Sequence, residues 1–266
     1  MTSQFLASNA VLLATQAALV ALPDRGVPEP LARFGGRAWA LVLPASIAVV
    51  VAAIALVPDV AVGLSWLALI AIPPLGAAAL GWAMHGARPP LALLAVPLLA
   101  YGWAQQDTLG GDLALTVLTA LSCVTLGRLL AGVVPLVWLE IGIVAMAVVD
   151  AILVFGNQLQ GPNAVLNAAV PAPGLPQLQY LELHYASMGY GDVFVAGVLG
   201  GVLAAEGRKQ WPVALLVFAL AVLWDLLFLL DSISTLPATV PIAAALIVVE
   251  ARPWLTRRRP GVSTVS

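Results

Sequence analysis

The chain has 266 residues, of which 62% are hydrophobic and 9% charged, with a net charge of −2 and a mean hydropathy of +1.02. One globular core of this size cannot bury so much apolar surface, so the composition excludes an ordinary soluble protein and indicates an integral membrane protein. The single cysteine, Cys123, excludes an intramolecular disulfide bond. We expect the lipid bilayer as a partner and no nucleic acid.

Nine apolar blocks predict nine transmembrane helices, because about 20 helical residues are needed to cross a bilayer. The predicted spans are residues 5–22, 38–57, 61–83, 91–105, 112–131, 135–156, 184–205, 212–230 and 235–251. The alternating pattern of a transmembrane β-barrel is missing. We therefore expect an all-α polytopic fold. No basic segment precedes the first apolar block, so we expect that span to be retained rather than cleaved as a signal peptide.

The basic residues predict the orientation of the chain, because cytoplasmic loops carry an excess of Lys and Arg. All 11 follow or close an odd-numbered span: Arg25, Arg33, Arg37, Arg88, Arg128, Arg208, Lys209, Arg252, Arg257, Arg258 and Arg259. This asymmetry places the N-terminus outside and the C-terminus in the cytoplasm. The preference for Arg over Lys in an Ala-, Val-, Leu- and Gly-rich chain suggests a bacterial protein, located in the inner or plasma membrane.

We divide the chain into a five-helix scaffold over 1–132, a functional unit of helices six to nine over 133–251, and a basic cytoplasmic tail over 252–266. A loop over 157–183 joins helices six and seven. It is rich in Pro, Gln and Asn, which is typical of an irregular loop with one short helix. The charge pattern places this loop outside.

Two aspartates lie near the outer ends of neighbouring spans, and a carboxyl group inside a membrane is functional by default because hydrocarbon cannot solvate it. Asp150 lies about six residues from the outer end of span six, and Asp192 about eight residues into span seven, so the two share a level in the membrane. No Lys or Arg is available on this half of the spans. We therefore predict a carboxyl pair that shares a proton, as in aspartic proteases.

The segment around the second aspartate reads Gly189-Tyr190-Gly191-Asp192, and its glycines would let another backbone approach closely. Span nine begins with Pro237-Ala238-Thr239, followed by a second proline at 241. A helix start broken twice exposes backbone carbonyl and amide groups that could pair with an extended peptide. The alternative for Pro237 is an ordinary proline in a first helical turn.

These segments resemble the signal peptide peptidase and presenilin family of GxGD-type intramembrane aspartyl proteases. The run Asp150-Ala151-Ile152-Leu153-Val154-Phe155-Gly156 is similar to the sixth-span segment of that family, where an aspartate precedes a Val-Phe-Gly end. Met188-Gly189-Tyr190-Gly191-Asp192-Val193-Phe194 is similar to its seventh-span segment. Leu236-Pro237-Ala238-Thr239 resembles its ninth-span Pro-Ala-Leu. The resemblance covers about residues 135–250 and includes the order of the motifs and the number of spans.

The resemblance implies a nine-helix fold and an aspartic endopeptidase that cleaves peptide bonds within transmembrane helices or signal peptides. It implies that Asp150 and Asp192 are catalytic and that Pro237 and Ala238 shape the site. The orientation favours the signal peptide peptidase branch, whose substrates have cytoplasmic N-termini. Two positions depart from the family pattern: Val149 stands in place of Tyr, and Thr239 in place of Leu.

The remaining polar residues leave other hypotheses open. Glu140 pairs with Arg128 or lines a hydrated cavity, Asp225 relays protons or bonds to a neighbouring helix, and Asp231 is solvated. The two histidines, His85 and His184, lie on opposite sides of the membrane, so we expect neither a metal nor another cofactor. The alternative functions are a catalytically inactive relative that binds membrane helices, and a transporter that moves protons or cations.

Overall fold

The computed structural model describes residues 3–25, 36–229 and 235–252. Arg33, Asp231 and the predicted basic tail beyond Arg252 lie outside the described residues. The described chain is mostly helical, with ten α-helices and one short β-hairpin. We number the helices α1 (Ser3–Ala21), α2 (Val42–Leu56), α3 (Val60–Ala78), α4 (Ala95–Ala104), α5 (Leu109–Val133), α6 (Leu136–Phe155), α7 (Gln160–Ala168), α8 (Tyr190–Ala205), α9 (Gln210–Asp225) and α10 (Val240–Ala251).

Tighter or wider turns extend several of these helices. Two 3₁₀ turns, Arg37–Leu41 and Pro89–Leu94, lead into α2 and α4, and a third, Leu226–Leu229, continues α9. A π-helical turn, Ala79–Ala83, continues α3 beyond its internal Pro73-Pro74 pair. With these turns included, the described apolar helices lie within a few residues of the bounds that the hydropathy predicts, except at spans seven and nine.

Five helical segments in the described residues are long and apolar enough to cross a membrane: Gln4–Ala21, Val60–Ala83, Leu109–Val133, Leu136–Phe155 and Gln210–Phe228. Four shorter apolar helices occupy the other predicted spans: Leu43–Leu56, Pro89–Ala104, Tyr190–Ala205 and Val240–Ala251. The structure thus has the architecture of a helical membrane protein. The crossing of a bilayer by all nine segments stays a prediction.

The described chain has the expected mainly helical architecture, but the connection before α8 contains a short hairpin that the sequence does not predict. Strands β1 (Tyr180–Leu183) and β2 (Ala186–Gly189) pair antiparallel, with Leu181 opposite Met188. Span seven therefore begins as a helix at Tyr190 rather than at residue 184. Buried apolar residues alternate with exposed ones along the hairpin, as expected for strands with one packed face. The predicted span included the hairpin turn and β2, whereas β1 fell in the predicted loop.

The core is densest where α5 crosses α8. Glycines allow this approach: a Cβ atom on Gly197 would lie 2.4 Å from the backbone oxygen of Cys123, and one on Gly127 would lie 2.1 Å from the backbone oxygen of Gly197. Small residues at such contacts let membrane helices pack backbone against backbone. Helix α1 lies beside both α8 and α9, so the N-terminal helix packs among the helices that the sequence assigns to the functional unit.

Candidate functional site

Asp150 lies on the buried face of α6, five residues before the helix ends, and its side chain is only 4% exposed. The Thr239 hydroxyl donates a hydrogen bond of 2.6 Å to Asp150 Oδ2. Thr239 is itself fully buried at the residue before α10 begins. One oxygen of the Asp150 carboxyl is therefore fixed by a side chain from the ninth predicted span.

Asp192 is the third residue of α8, and this position corrects the depth that the sequence suggests. The residue lies in the first helical turn rather than eight residues into a helix. Gly189 is the residue that caps the helix, and its backbone N–H donates to the Asp192 carboxyl. A carboxylate at the third helical position commonly satisfies an amide at the cap in this way, and it also complements the positive end of the helix dipole.

The hairpin determines where this helix begins. Its two-residue turn places His184 at a φ of 49°, and the backbone N–H of His184 donates to Asp112 Oδ2 at 3.1 Å. Thr116 Oγ1 donates to the backbone oxygen of Glu182 at 3.1 Å. Both acceptor and donor lie on α5, so that helix holds the hairpin in place, and β2 then leads directly into Gly189 and the first turn of α8.

Tyr190 anchors the same turn to α5. Its hydroxyl and Ser122 Oγ are hydrogen-bonded at 2.9 Å, and its ring stacks on Phe194 one turn later, with the ring centres 6.4 Å apart. Gly191 stands between this anchor and Asp192, and a Cβ atom there would make only an ordinary contact of 3.5 Å with Met146 on α6. The hydrogen bond and the ring stacking hold the Tyr190 side chain in place two residues before Asp192.

Asp150 and Asp192 lie on the packed neighbours α6 and α8, near enough for the charge of one carboxyl to act on the other. No Lys or Arg is hydrogen-bonded or ion-paired to either carboxyl within the described residues. The arrangement can hold one proton between two carboxyls more readily than two negative charges. It therefore offers one acid and one base to a group bound between them.

The segment before α10 is not helical. Residues 235–237 have no regular secondary structure and 238–239 form a turn, so Pro237 precedes the helix instead of lying in it, and Pro241 occupies the first helical turn. The backbone oxygen of Ala238 accepts a hydrogen bond of 3.1 Å from Gln16 Nε2, and the same nitrogen donates to the backbone oxygen of Asp192 at 3.3 Å. The structure therefore brings Asp150, Asp192 and Thr239 together, with Gln16 beside them.

Sequence reasoning did not single out Gln16 or Ser122. Gln16 is fully buried in the middle of the apolar α1, and a polar side chain inside a predicted span carries the same signal as an acidic one. That signal was available from the sequence alone. The bond from Thr239 to Asp150 was not, because it depends on where the ninth span meets the sixth.

Of the two alternatives for Glu140, the pair with Arg128 is not formed among the described residues. Glu140 lies at the opposite end of α6 from Asp150, where carboxyl oxygens of Glu140, Glu206 and Glu250 all lie within 4.8 Å of one another. Arg208 forms ion pairs with two members of this group, through a 2.7 Å contact from Nε to Glu206 Oε2 and a contact with Glu250. Burial raises the pKa of Glu206, and the Arg208 guanidinium opposes that change.

Two further candidates have clear local roles. Asp225 accepts a hydrogen bond of 2.5 Å from Asn9 Nδ2 on α1, so the hypothesis of a bond to a neighbouring helix is confirmed. An open cavity of about 320 Å³ lies between the end of α6, α7 and Thr235. Its polar lining consists of amides and one hydroxyl: Gln160, Asn163, Asn167 and Thr235. Val154 also lines it, one helical turn beyond Asp150 on the same face of α6.

Comparison with known proteins identifies no relative. No protein-family model matches the chain, and neither a curated protein nor a solved structure shows significant similarity to it. The assignment of a function therefore depends on the arrangement of its own residues.

Proposed function

We propose that the chain is an intramembrane aspartic endopeptidase that hydrolyses peptide bonds within membrane helices, with Asp150 and Asp192 as its catalytic residues. The observation that carries this proposal is the placement of these two carboxyls on packed helices. Hydrogen bonds through Thr239 and Gln16 tie both to the segment before α10, and neither has a basic partner among the described residues. The resemblance to GxGD-type proteases adds a nine-span topology with the N-terminus outside. It also adds the class of substrate, membrane helices with cytoplasmic N-termini.

The proposed reaction begins with one carboxyl ionised and the other protonated. The ionised carboxylate takes a proton from water as the water oxygen bonds to the peptide carbonyl carbon, and the protonated carboxyl gives its proton to the carbonyl oxygen. The resulting diol then collapses. The carbon–nitrogen bond breaks as one carboxyl protonates the amine nitrogen and the other takes a proton from a diol hydroxyl, which restores the starting state and releases an acid and an amine.

The substrate must lose its helical hydrogen bonds near the scissile bond before water can reach the carbonyl. The non-helical residues 235–237 before α10 have backbone groups outside a helix that could pair with an unwound strand. Gly189 leaves the space above the Asp192 carboxyl clear of a side chain. These features support a peptide as the substrate rather than a small ion.

The test is cleavage of a helical membrane substrate by the purified chain in liposomes. We expect Asp150→Asn and Asp192→Asn each to reduce kcat by about 10²-fold or more, because each removes an acid or base from the reaction. Asp225→Asn is the matched control: it makes the same carboxyl-to-amide change at a membrane aspartate that is bound to Asn9, away from the pair. We expect it to retain cleavage.

Cleavage that persists in either the Asp150→Asn or the Asp192→Asn variant would contradict the proposed mechanism. A transporter would instead carry protons or cations across the liposome membrane without releasing product peptides. An inactive relative would bind the substrate helix and release no product in wild type or in any variant. The same liposomes therefore distinguish the three functions.

A further inference from the structure

Gln16 occupies an unusual position in the first helix. It is fully buried, and its side-chain nitrogen donates two hydrogen bonds to backbone oxygens of two different segments. One acceptor belongs to Asp192 in the first turn of α8, at 3.3 Å. The other belongs to Ala238 just before α10, at 3.1 Å. A single amide on α1 thus joins the two segments that flank the carboxyl pair.

We propose that Gln16 is a positioning residue of the aspartyl site, which sets the distance between the two catalytic carboxyls through the backbones that carry their surroundings. This inference rests on the proposed function. The connection is continuous: Gln16 binds the Ala238 oxygen, and the next residue, Thr239, binds Asp150 Oδ2. Gln16 also binds the backbone of Asp192 itself. Each carboxyl is therefore at most two hydrogen bonds away from the same amide.

Only a side chain with an amide or similar donor can make this connection. An –NH₂ group supplies two hydrogens to two carbonyl acceptors, whereas a hydroxyl supplies one and a carboxylate none. The two acceptors also fix the orientation of the amide, because a flipped side chain would place Oε1 against two carbonyl oxygens. The length and chemistry of glutamine therefore match this position.

The other atom of the amide argues against a role in packing alone. Gln16 Oε1 is buried and has no hydrogen-bond partner among the described residues. A buried acceptor without a donor is unfavourable, so an apolar side chain would pack α1 against its neighbours at a lower cost in polar burial. Buried polar atoms without a partner are expected mainly at functional sites, where function rather than stability determines the residue type.

Gln210 provides a matched control at the other end of the same helices. It is also buried, and its Nε2 also donates to two backbone oxygens, those of Pro23 at 2.8 Å and Gly200 at 3.1 Å. Its Oε1 is paired with His85 Nε2 at 2.9 Å. Gln210 therefore ties the end of α1 to α8 by the same chemistry, but away from the carboxyl pair.

The experiment compares Gln16→Leu with Gln210→Leu in the full-length chain. Cleavage kinetics in liposomes give kcat and KM, and thermal unfolding gives stability. Hydrogen exchange measured by mass spectrometry follows peptides covering 186–196 and 236–243. We expect Gln16→Leu to lower kcat by about 10- to 100-fold with KM changed less than about threefold, because a small displacement of catalytic groups reduces the rate more than binding. Exchange should rise in both peptides.

Gln210→Leu should leave kcat within about threefold of wild type and raise exchange near 200–212 instead. Equal kcat values in the two variants would show that Gln16 does not position the catalytic groups. Unchanged hydrogen exchange in 186–196 and 236–243 would show that Gln16 does not hold these two segments together. Failure of the proposed function has a different signature, since Asp150→Asn and Asp192→Asn would then cleave like wild type or wild type would not cleave. Without the proposed function, Gln16 has no catalytic groups to position. The hydrogen-exchange data would still show whether its amide joins the two segments.

Discussion

At the scale of single residues, Thr239 is the side chain on which the site depends most directly outside the two carboxyls. Its hydroxyl donates to Asp150 Oδ2 at 2.6 Å in a fully buried position. We expect Thr239→Val, which preserves shape but removes the donor, to lower kcat by about tenfold, because Asp150 loses the contact that fixes its orientation. Thr239→Ser keeps the hydroxyl and should retain most activity. The measurement is kcat for both variants in the liposome assay, and equal loss in the two would contradict a role for the hydroxyl.

The two glycines of the Gly-x-Gly-Asp segment should differ in their tolerance to substitution. A Cβ atom on Gly189 would lie 3.1 Å from Asp192 Oδ2, whereas one on Gly191 would lie 3.5 Å from the flexible end of Met146. Gly189 has an ordinary φ of −64°, so alanine there would crowd the carboxyl without straining the backbone. We expect Gly189→Ala to reduce cleavage by about tenfold or more and Gly191→Ala to change it by less than about threefold. The reverse order would show that the crowding argument is wrong.

The sequence singles out the two aspartates but does not predict their hydrogen-bond contacts. Asp150 and Asp192 stand out because charged groups in apolar spans require an explanation. Thr239 looked like a departure from a family pattern, yet the structure makes it the hydrogen-bond partner of Asp150. That role depends on the meeting of two segments 89 residues apart, which no local pattern encodes. Gln16 is also a polar residue inside an apolar span, but it carries no charge and so gives a weaker signal than the aspartates.

At the scale of elements, the close crossing of α5 and α8 holds the first turn of α8 in place. Gly197 is one of the two tightest points on α8, because a Cβ atom there would lie 2.4 Å from the backbone oxygen of Cys123. We expect Gly197→Val to force these helices apart and lower the unfolding free energy by about 1–3 kcal/mol or more. Gly63→Val is the control, since a Cβ atom on Gly63 meets nothing within 4 Å.

Thermal unfolding of the two glycine variants in detergent provides the measurement. The Gly197 variant should melt at a lower temperature than wild type, and the Gly63 variant should melt close to it. Similar melting temperatures in both variants would mean that the loss of stability comes from placing valine in a helix, and not from separating α5 from α8.

The helices themselves follow from hydropathy, because any segment that crosses a bilayer must be apolar along its whole length and must satisfy its backbone internally. Span seven was misplaced at its start for a specific reason. Ala186 and Met188 are apolar and buried, but they lie in strand β2, which pairs with β1 and packs beside α1. Apolar composition alone does not distinguish a packed strand from a helix over so few residues.

At the scale of the whole molecule, the connections that carry basic residues meet at one end of the structure. Arg128 donates to the backbone oxygens of Trp82 and Arg25, and Gly207 lies against the Arg25 side chain. The opposite end joins the hairpin turn at His184 to Asp112 at the start of α5. The charge asymmetry read from the sequence is thus an asymmetry in space for these described residues, and the rule that cytoplasmic loops carry basic residues predicts that the first end faces the cytoplasm.

The orientation can be tested with single cysteines, because the one native cysteine, Cys123, is fully buried in α5 and should not react. Gln158→Cys places a thiol in the exposed connection after α6, and Lys209→Cys places one in the connection after α8. We expect a membrane-impermeant maleimide to label the first variant in intact cells and the second only after the membrane is opened. Wild type is the control for background reaction at Cys123. If only Lys209→Cys is labelled in intact cells, the orientation of the protein in the membrane is opposite to the predicted one. The carboxyl pair, which lies near the Gln158 end of α6, would then face the cytoplasmic half of the bilayer, and the expected substrates would be helices of the opposite orientation.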